Sequence, residues 1–366
     1  MIHSETLDAV ILGAGIAGLS VADELSGRGM NCLILDTKQP GNGASAAPML
    51  LANPATGRRA KITWNAESCL NHTKNFLERV QASSDNPFFE KNGVLRPALS
   101  EKIAADFSNA PEKYDWPADW ISWLPKNDFS KKFPFFGENH GGLIIESALT
   151  IRGPEFIQAA IKYISGRNVQ HVIDSEYSIQ REESVWKLKL KNGQNLSTLT
   201  LIDATGFSQT SSDYWSFLAL HPVKGQTATF HFKNPLEIQH SVSSLGYMAF
   251  MSDSPNQLTV GSTYEHSFDH LKPTADGLKR LKAKLAETFT GLSHNILHTE
   301  QWANVRVTVP DKQPVAGEHP DHPNLYILGA FGSKGMMLGR YLAYLLAELI
   351  INKKSIDRPV SIERFL

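Results

Sequence analysis

Residues 8–36 read DAVILGAGIAGLSVADELSGRGMNCLILD. The apolar run Ala9–Leu12 predicts a strand that meets Gly13, Gly15 and Gly18, after which Ile16, Leu19, Ala22 and Leu25 recur at helical spacing. Each glycine has a task in a G-x-G-x-x-G turn. Gly13 permits the tight turn, Gly15 lets the main chain approach a pyrophosphate, and Gly18 lets the helix pack closely on the strand. The free N–H groups and positive dipole end at the helix start then favour an anion. A second strand, Cys32–Leu35, is followed by Asp36, placed as the acceptor for a ribose 2′-hydroxyl. A glycine triplet alone also occurs in ordinary strand-turn-helix units; strand, turn, helix and acid in this order predict the start of a dinucleotide-binding domain.

The composition fits an enzyme with two domains. At 366 residues the chain can bury two cores, and 42% hydrophobic with 20% charged residues is ordinary globular usage. Thirty-six basic against 37 acidic residues leave a net charge of −1, so no global field favours nucleic acid or an anionic membrane. The two cysteines, Cys32 and Cys69, make no disulfide framework and lack metal-ligand spacing, which points to a reducing compartment. No basic stretch marks the N-terminal run as a leader, so a cytoplasmic location is expected. LAYLLAELII, Leu342–Ile351, is shorter than the ~20 residues of a membrane span and predicts a buried helix stopped by Asn352, Lys353 and Lys354.

Further along, residues 41–57, GNGASAAPMLLANPATG, are small and apolar, suited to packing against a flat ligand. Helices are predicted over Ala66–Gln81, Pro154–Ile164 and Gly277–Phe289, and a strand over Val169–Ile173. Trp116, Trp120 and Trp123 stand near helical spacing and are read as core or interface residues. Alternating strands through Tyr177–Leu190 turn at Lys191-Asn192-Gly193, and a strand from Leu199 ends in Ala204-Thr205-Gly206, where glycine lets the main chain approach a ligand. From His221 to Val307 the pattern is mainly antiparallel strands, fit to wall a cofactor. NLYILGAFGSKGMMLGRYLAYLLAEL then repeats the opening logic: a strand, a turn with Gly329, Gly332 and Gly335, and a long helix.

The N-terminal glycine turn, the Gly-Ala-Ser-Ala-Ala segment, the mid-chain Ala-Thr-Gly, Pro222-Val-Lys-Gly-Gln and the C-terminal Gly-Ser-Lys-Gly helix start together resemble the D-amino-acid oxidase-like superfamily of FAD enzymes. Glycine oxidase, sarcosine oxidase and the oxidase half of the bacterial wobble-uridine tRNA-modifying enzyme belong to it. GSTYEHS and VRVTVPDKQPVAG look closest to that oxidase half. The resemblance implies an α/β fold in which a Rossmann-like FAD-binding domain (1–85, 146–220 and 305–366) is interleaved with an α+β substrate domain built on an antiparallel sheet (86–145 and 221–304). It places Gly13, Gly15, Ala17 and Gly18 at the pyrophosphate, Asp36 and Thr37 at the adenosine ribose, and Ala44 and Ser45 at the next phosphate or ribityl oxygens. Pro48, Met49 and Leu50 would line the isoalloxazine, Val172 the adenine side, and Ala204 and Gly206 the cofactor's close approach. Gly332, Ser333, Lys334, Gly335 and Met336 would offer main-chain donors to the pyrimidine edge, where reduction gathers negative charge.

The resemblance also places Arg306 as the clamp of a substrate carboxylate, a task suited to a planar fork that stays charged; a structural salt bridge is the alternative. Tyr247 is the candidate second substrate contact, ahead of Tyr264, with sheet packing as the alternative. No cysteine lies near the C-terminal flavin segment, so noncovalent FAD is expected, and a counterpart of the methyltransferase half of the tRNA-modifying enzyme is absent from the sequence. His266 with His270 and His294 with His298 have i, i+4 spacing but no zinc-motif glutamate, and no metal site is expected. The reaction implied is oxidation of the C–N bond of an amino acid or N-substituted glycine, with hydride passing to flavin N5, the imine hydrolysing, and oxygen or another acceptor reoxidising the flavin. The rivals are a stand-alone oxidase of the carboxymethylaminomethyl group of tRNA wobble uridine, a NAD-dependent dehydrogenase, and a non-catalytic flavin-binding protein.

Overall fold

The computed structural model describes residues 7–37, 39, 42–167, 169–173 and 175–366. Met1–Thr6 and Gly41, which fall in segments read above, lie outside the described residues. The opening motif folds as read. Strand β1 (Leu7–Leu12) leads through the glycine turn into helix α1 (Ile16–Gly27) and strand β2 (Cys32–Asp36). Both strands are almost wholly apolar because both faces of their sheet are covered. Ala9, Ile11, Cys32 and Ile34 face a core shared with the helices, while Leu7, Val10, Leu12, Leu33 and Leu35 face a second core with Trp186, Trp215 and Leu218.

In that sheet Val169–Ile173, β2, β1 and Asn195–Asp203 lie parallel in this order. The long strand Asn195–Asp203 changes partners along its length. Its first residues pair antiparallel with Val185–Leu190 of a hairpin that continues to Tyr177–Glu182, and Leu201–Asp203 pair parallel with Leu325–Ile327. The sheet therefore gathers three separated stretches of chain, and the carboxyl ends of β1, β2, Asn195–Asp203 and Leu325–Gly329 converge on one edge. In open α/β sheets that edge is where ligands bind.

The helices Ala66–Gln81, Gly153–Ser165 and Gly335–Asn352 pack with α1 on one face. Gly335 and Gly339 allow close contact with α1: a Cβ at either would lie 3.4 Å from the Ile16 side chain. This brings the two helix starts side by side. Within Leu342–Ile351 of the C-terminal helix Leu342, Ala343, Leu346, Ala347 and Ile350 are buried while Ile351 is exposed, the buried face begins earlier at Met336, and the C-cap Lys353 is left-handed (φ 55°). No helix of the described residues is long and apolar enough to cross a membrane.

The second large sheet runs in the order Ile296–Thr308, His221–Phe232, Gln257–Gly261, Tyr247–Ala249, Ser241–Ser243, Val94–Pro97, Gly142–Ile145 and Ile121–Leu124. Its pairs are antiparallel except Ser241–Ser243 on Val94–Pro97. Helix Ala275–Thr288 lays Leu281 and Leu285 on it, and a small sheet of Leu50–Ala52, Leu149–Ile151 and Phe89–Glu90 lies off both large ones.

Two spacings seen in the sequence do not belong to helices. Trp123 lies in a strand, and Trp116 and Trp120 lie outside any helix, because aromatic spacing alone does not distinguish a helix from an extended segment whose residues pack at intervals. All three are partly buried against apolar clusters. The histidine pairs are not on helices either: His266 and His270 lie outside regular elements, and His294 and His298 fall in a 3-10 turn and the strand after it.

Candidate active site

At the converging strand ends, the glycine turn has the geometry its residues require. Gly13 has φ +98°, and a Cβ there would stand 2.5 Å from the Ala204 carbonyl oxygen; one on Gly18 would stand 1.9 Å from the Gly13 oxygen. No larger residue fits either place. Ala17 and Gly18 are buried in the first turn of α1. The Ala14 N–H donates to Asp36 Oδ2 at 2.7 Å, and the Ile16 N–H donates to Ser45 Oγ at 3.0 Å. Ala44–Ala46 forms a single 3-10 turn, and Gly153, where a Cβ would be 2.2 Å from the Ala47 oxygen, lets the next helix pack against it. Val172 pairs with Leu35 on the neighbouring strand, one residue before Ile173 meets Asp36, and Thr37 is exposed just beyond.

The Ala204-Thr205-Gly206 turn is held by Asp203, which sequence reading missed. Its Oδ1 accepts from the Thr205 N–H and hydroxyl, at 3.0 and 2.7 Å, and its Oδ2 accepts from the Trp215 indole at 2.8 Å. Gly206 is left-handed (φ +62°), and a Cβ there would meet nothing within 4 Å. At the second glycine turn Gly332 has φ +56°, with only the Thr308 side chain near its open side, at 3.8 Å. Open space thus adjoins both turns. Ser333 follows, Lys334 caps the last helix, and Gly335 and Met336 begin it, with N–H groups that have no acceptor within the helix. Lys334 Nζ donates to the Lys312 oxygen at 2.8 Å, and burial pulls its pKa below the ordinary lysine range. These residues fit a dinucleotide: donors at two helix starts, an acid at the end of β2, and glycines where a Cβ would close the approach.

The proposed substrate residues meet this edge through two hydrogen bonds. The Tyr247 hydroxyl donates to the Met49 oxygen at 3.1 Å, and the Gly332 N–H donates to the Val307 oxygen at 2.8 Å, next to Arg306. Met49 is buried with Ala249 and Met251, and Leu51 and Tyr247 pack beside them. Pro48 precedes it, and Leu50 opens the strand that pairs with Leu149–Ile151. The Tyr247 ring lies on Gly261, where a Cβ would stand 2.3 Å from it; the Arg306 guanidinium likewise lies against Gly225. Burial pushes the Tyr247 hydroxyl above the ordinary tyrosine range, the Arg306 charge opposing and Tyr264 adding to that shift.

Arg306 makes no ion pair among the described residues. Its Nη2 donates to the Thr263 oxygen at 3.0 Å, and its guanidinium lies 4.6 Å from the centre of the exposed Tyr264 ring. Lys284, also missed from sequence, turns its ammonium to the Ser262 oxygen at 2.9 Å; burial and then the Arg280 and Arg306 charges hold its pKa down. The segment carrying Ser262–Glu265 is anchored from behind by the buried Lys224 and by Gln226. Glu265 Oε1 accepts from the Gln226 amide and the Thr263 hydroxyl, both at 2.6 Å, and Glu265 Oε2 lies 3.6 Å from Lys224 Nζ.

The family profile described as DAO, FAD dependent oxidoreductase, matches residues 8–349. The chain belongs to this family. It is a flavoenzyme, and its cofactor is FAD. The tRNA 5-methylaminomethyl-2-thiouridine biosynthesis bifunctional protein MnmC of Idiomarina loihiensis is 24% identical over 98% of this chain and 59% of its own length. The chain therefore spans little more than half the length of that relative. Glycine oxidase of Geobacillus kaustophilus is 22% identical over 95% of this chain and 94% of its own. The crystal structure of glycine oxidase from that organism superposes with a TM-score of 0.87 at 21% identity, covering 98% of this chain and 99% of that one, which shows a shared fold.

Proposed function

We propose that this member of the family oxidises the C–N bond of a small amino acid or N-substituted glycine bearing a carboxylate. The observation that carries the reading is Arg306, a half-buried guanidinium at the cofactor edge without an acidic partner among the described residues. An uncompensated cation in such a place is costly unless an anion arrives to pair with it. The Thr263 oxygen and the Tyr264 ring hold the fork, and a carboxylate accepts two parallel N–H bonds from it. Lys284 adds positive potential at the same end. Tyr247, tied to Met49, sets the floor on which the carbon next to nitrogen rests. FAD, when bound along residues 13–18, 36–37, 44–50, 172, 204–206 and 332–336, supplies the hydride acceptor. An amine that binds neutral needs no protein base, so the side chains contribute orientation and exclusion of water. The division of labour follows the sheets: the first carries the cofactor and the second the substrate, with boundaries near residues 85, 145, 220 and 305.

Arg306→Ala should leave the flavin spectrum intact and raise the apparent substrate dissociation constant by the equivalent of about 2 to 5 kcal/mol, with Arg306→Lys recovering part. Anaerobic rapid mixing of wild type and both variants with glycine and its N-alkyl derivatives measures this. Superimposable saturation curves would remove Arg306 from the site and the carboxylate from the substrate.

A second reading, oxidation of the carboxymethylaminomethyl group of tRNA wobble uridine, is supported by the MnmC relatives and by exposed Lys279, Arg280 and Lys282 on the helix that carries Lys284. Flavin reduction by undermodified tRNA but by no free glycine derivative would select it.

A further inference from the structure

We propose that His231, His298 and Glu300 form a binding site for one divalent transition-metal ion of the zinc type, away from the flavin edge. The three side chains come from two paired strands. His231 stands opposite His298, and Thr229 opposite Glu300, so His298 and Glu300 are alternate residues on one face of their strand. The pairing slips immediately after His231, where Phe232 meets Ile296 and the exposed Leu297 is left over. Such a bulge re-aims the side chains beside it, and here the two imidazoles come together with ring centres 5.2 Å apart.

His231 Nε2 lies 3.1 Å, and His298 Nε2 3.7 Å, from the same Glu300 oxygen, and all three ligand atoms lie within 4.8 Å of one another. Metal bonds of about 2.0 to 2.2 Å in a tetrahedron put ligand atoms about 3.3 Å apart, so small rotations of the exposed His298 and Glu300 admit the ion. A further sign that the group lacks a partner is that His231 Nε2 is shielded from solvent and makes no hydrogen bond, although the Glu300 oxygen lies 3.1 Å away. Two imidazoles and one carboxylate suit zinc, copper or nickel rather than magnesium or calcium, and they leave a fourth position for water. Lys282, which borders the same surface hollow as His298, further disfavours an ion held by charge alone. The bound ion would clasp the ends of the two strands that carry Arg306 and Val223 further along.

The test is calorimetric titration of tag-free, FAD-loaded protein with zinc chloride after chelator treatment and dialysis. One equivalent should bind to wild type. His298→Ala and Glu300→Gln, both exposed changes, should weaken binding by more than the roughly ten- to hundredfold typical of losing a hydrogen-bond partner of a ligand. His266→Ala, at the separate His221–His266 pair, should bind like wild type. Retained flavin in each variant checks folding. Absence of a stoichiometric phase in wild type overturns the proposal, as does binding that survives His298→Ala or is lost in His266→Ala.

Discussion

Asp36 is shown in one job and proposed for a second. Its Oδ2 accepts from the Ala14 N–H, bracing the glycine turn, and its place at the end of β2 suits it to the proposed contact with a ribose. Replacing it with alanine removes hydrogen bonds to a charged group, about 1.5 to 3 kcal/mol, which corresponds to a tenfold to two-hundredfold rise in the FAD dissociation constant. Quenching of FAD fluorescence by apoprotein measures this; unchanged affinity would place the adenosine elsewhere. Arg306 and Tyr247 differ in legibility for a physical reason. The family motif indicates Arg306, but that it has no acidic partner among the described residues is a property of the folded chain. The motif around Tyr247 says nothing of Met49, to which its hydroxyl bonds across the join between the sheets.

At the level of elements, the turn between β1 and α1 tolerates no side chain at Gly18, where a Cβ would overlap the Gly13 carbonyl at 1.9 Å. Gly18→Ala should separate helix from strand, lose flavin and lower the melting temperature. Gly27→Ala, whose Cβ would meet only the Arg167 side chain at 3.9 Å, should do neither. Equal flavin content in the two variants would show that the turn relaxes at little cost. On the other side of α1, Asp23 is almost fully buried and pairs with Arg340 and Arg79, both at 2.7 Å, and with Arg167. It fastens α1 to the helices Ala66–Gln81 and Gly335–Asn352. Asp23→Ala leaves the buried Arg340 without that partner, and removing one member of a buried pair costs about 3 to 5 kcal/mol. Thermal unfolding should report a clear loss; an unchanged melting temperature would mean that Glu24, which also pairs with Arg340, suffices.

For the whole molecule, the placing of the thiols argues against a cysteinyl link to FAD. Cys32 and Cys69 are both buried in the core, and burial pushes each thiol up to about 12, so neither presents a thiolate to a flavin. Acid precipitation should release the yellow colour into the supernatant as FAD. Colour retained in the pellet would mean a covalent link through another residue.

The local half of this structure was legible in the chain. Residues 8–36, Ala66–Gln81, Val169–Ile173 and the last helix form as their patterns predict, because a helix closes its hydrogen bonds within its own span and a short apolar run between turn residues marks a buried strand even though its ladder partners lie far away in the chain. Asp203 and Lys284 had no such signal, and the i, i+4 spacing of His294 and His298 pointed to a different pair than the His231–His298–Glu300 group. Each acquires its neighbours through pairings between distant segments, and no local period encodes which strand ends up beside which. The sequence alone determined the dinucleotide turn and, through its family resemblance, nominated residues to hold FAD and a carboxylate. Only the tertiary structure decided that the two glycine turns share one edge, that Arg306 has no acidic partner there among the described residues, and that the paired strands His221–Phe232 and Ile296–Thr308 bring His231 and His298 together, because these depend on sheet register and on buried surfaces that must close together.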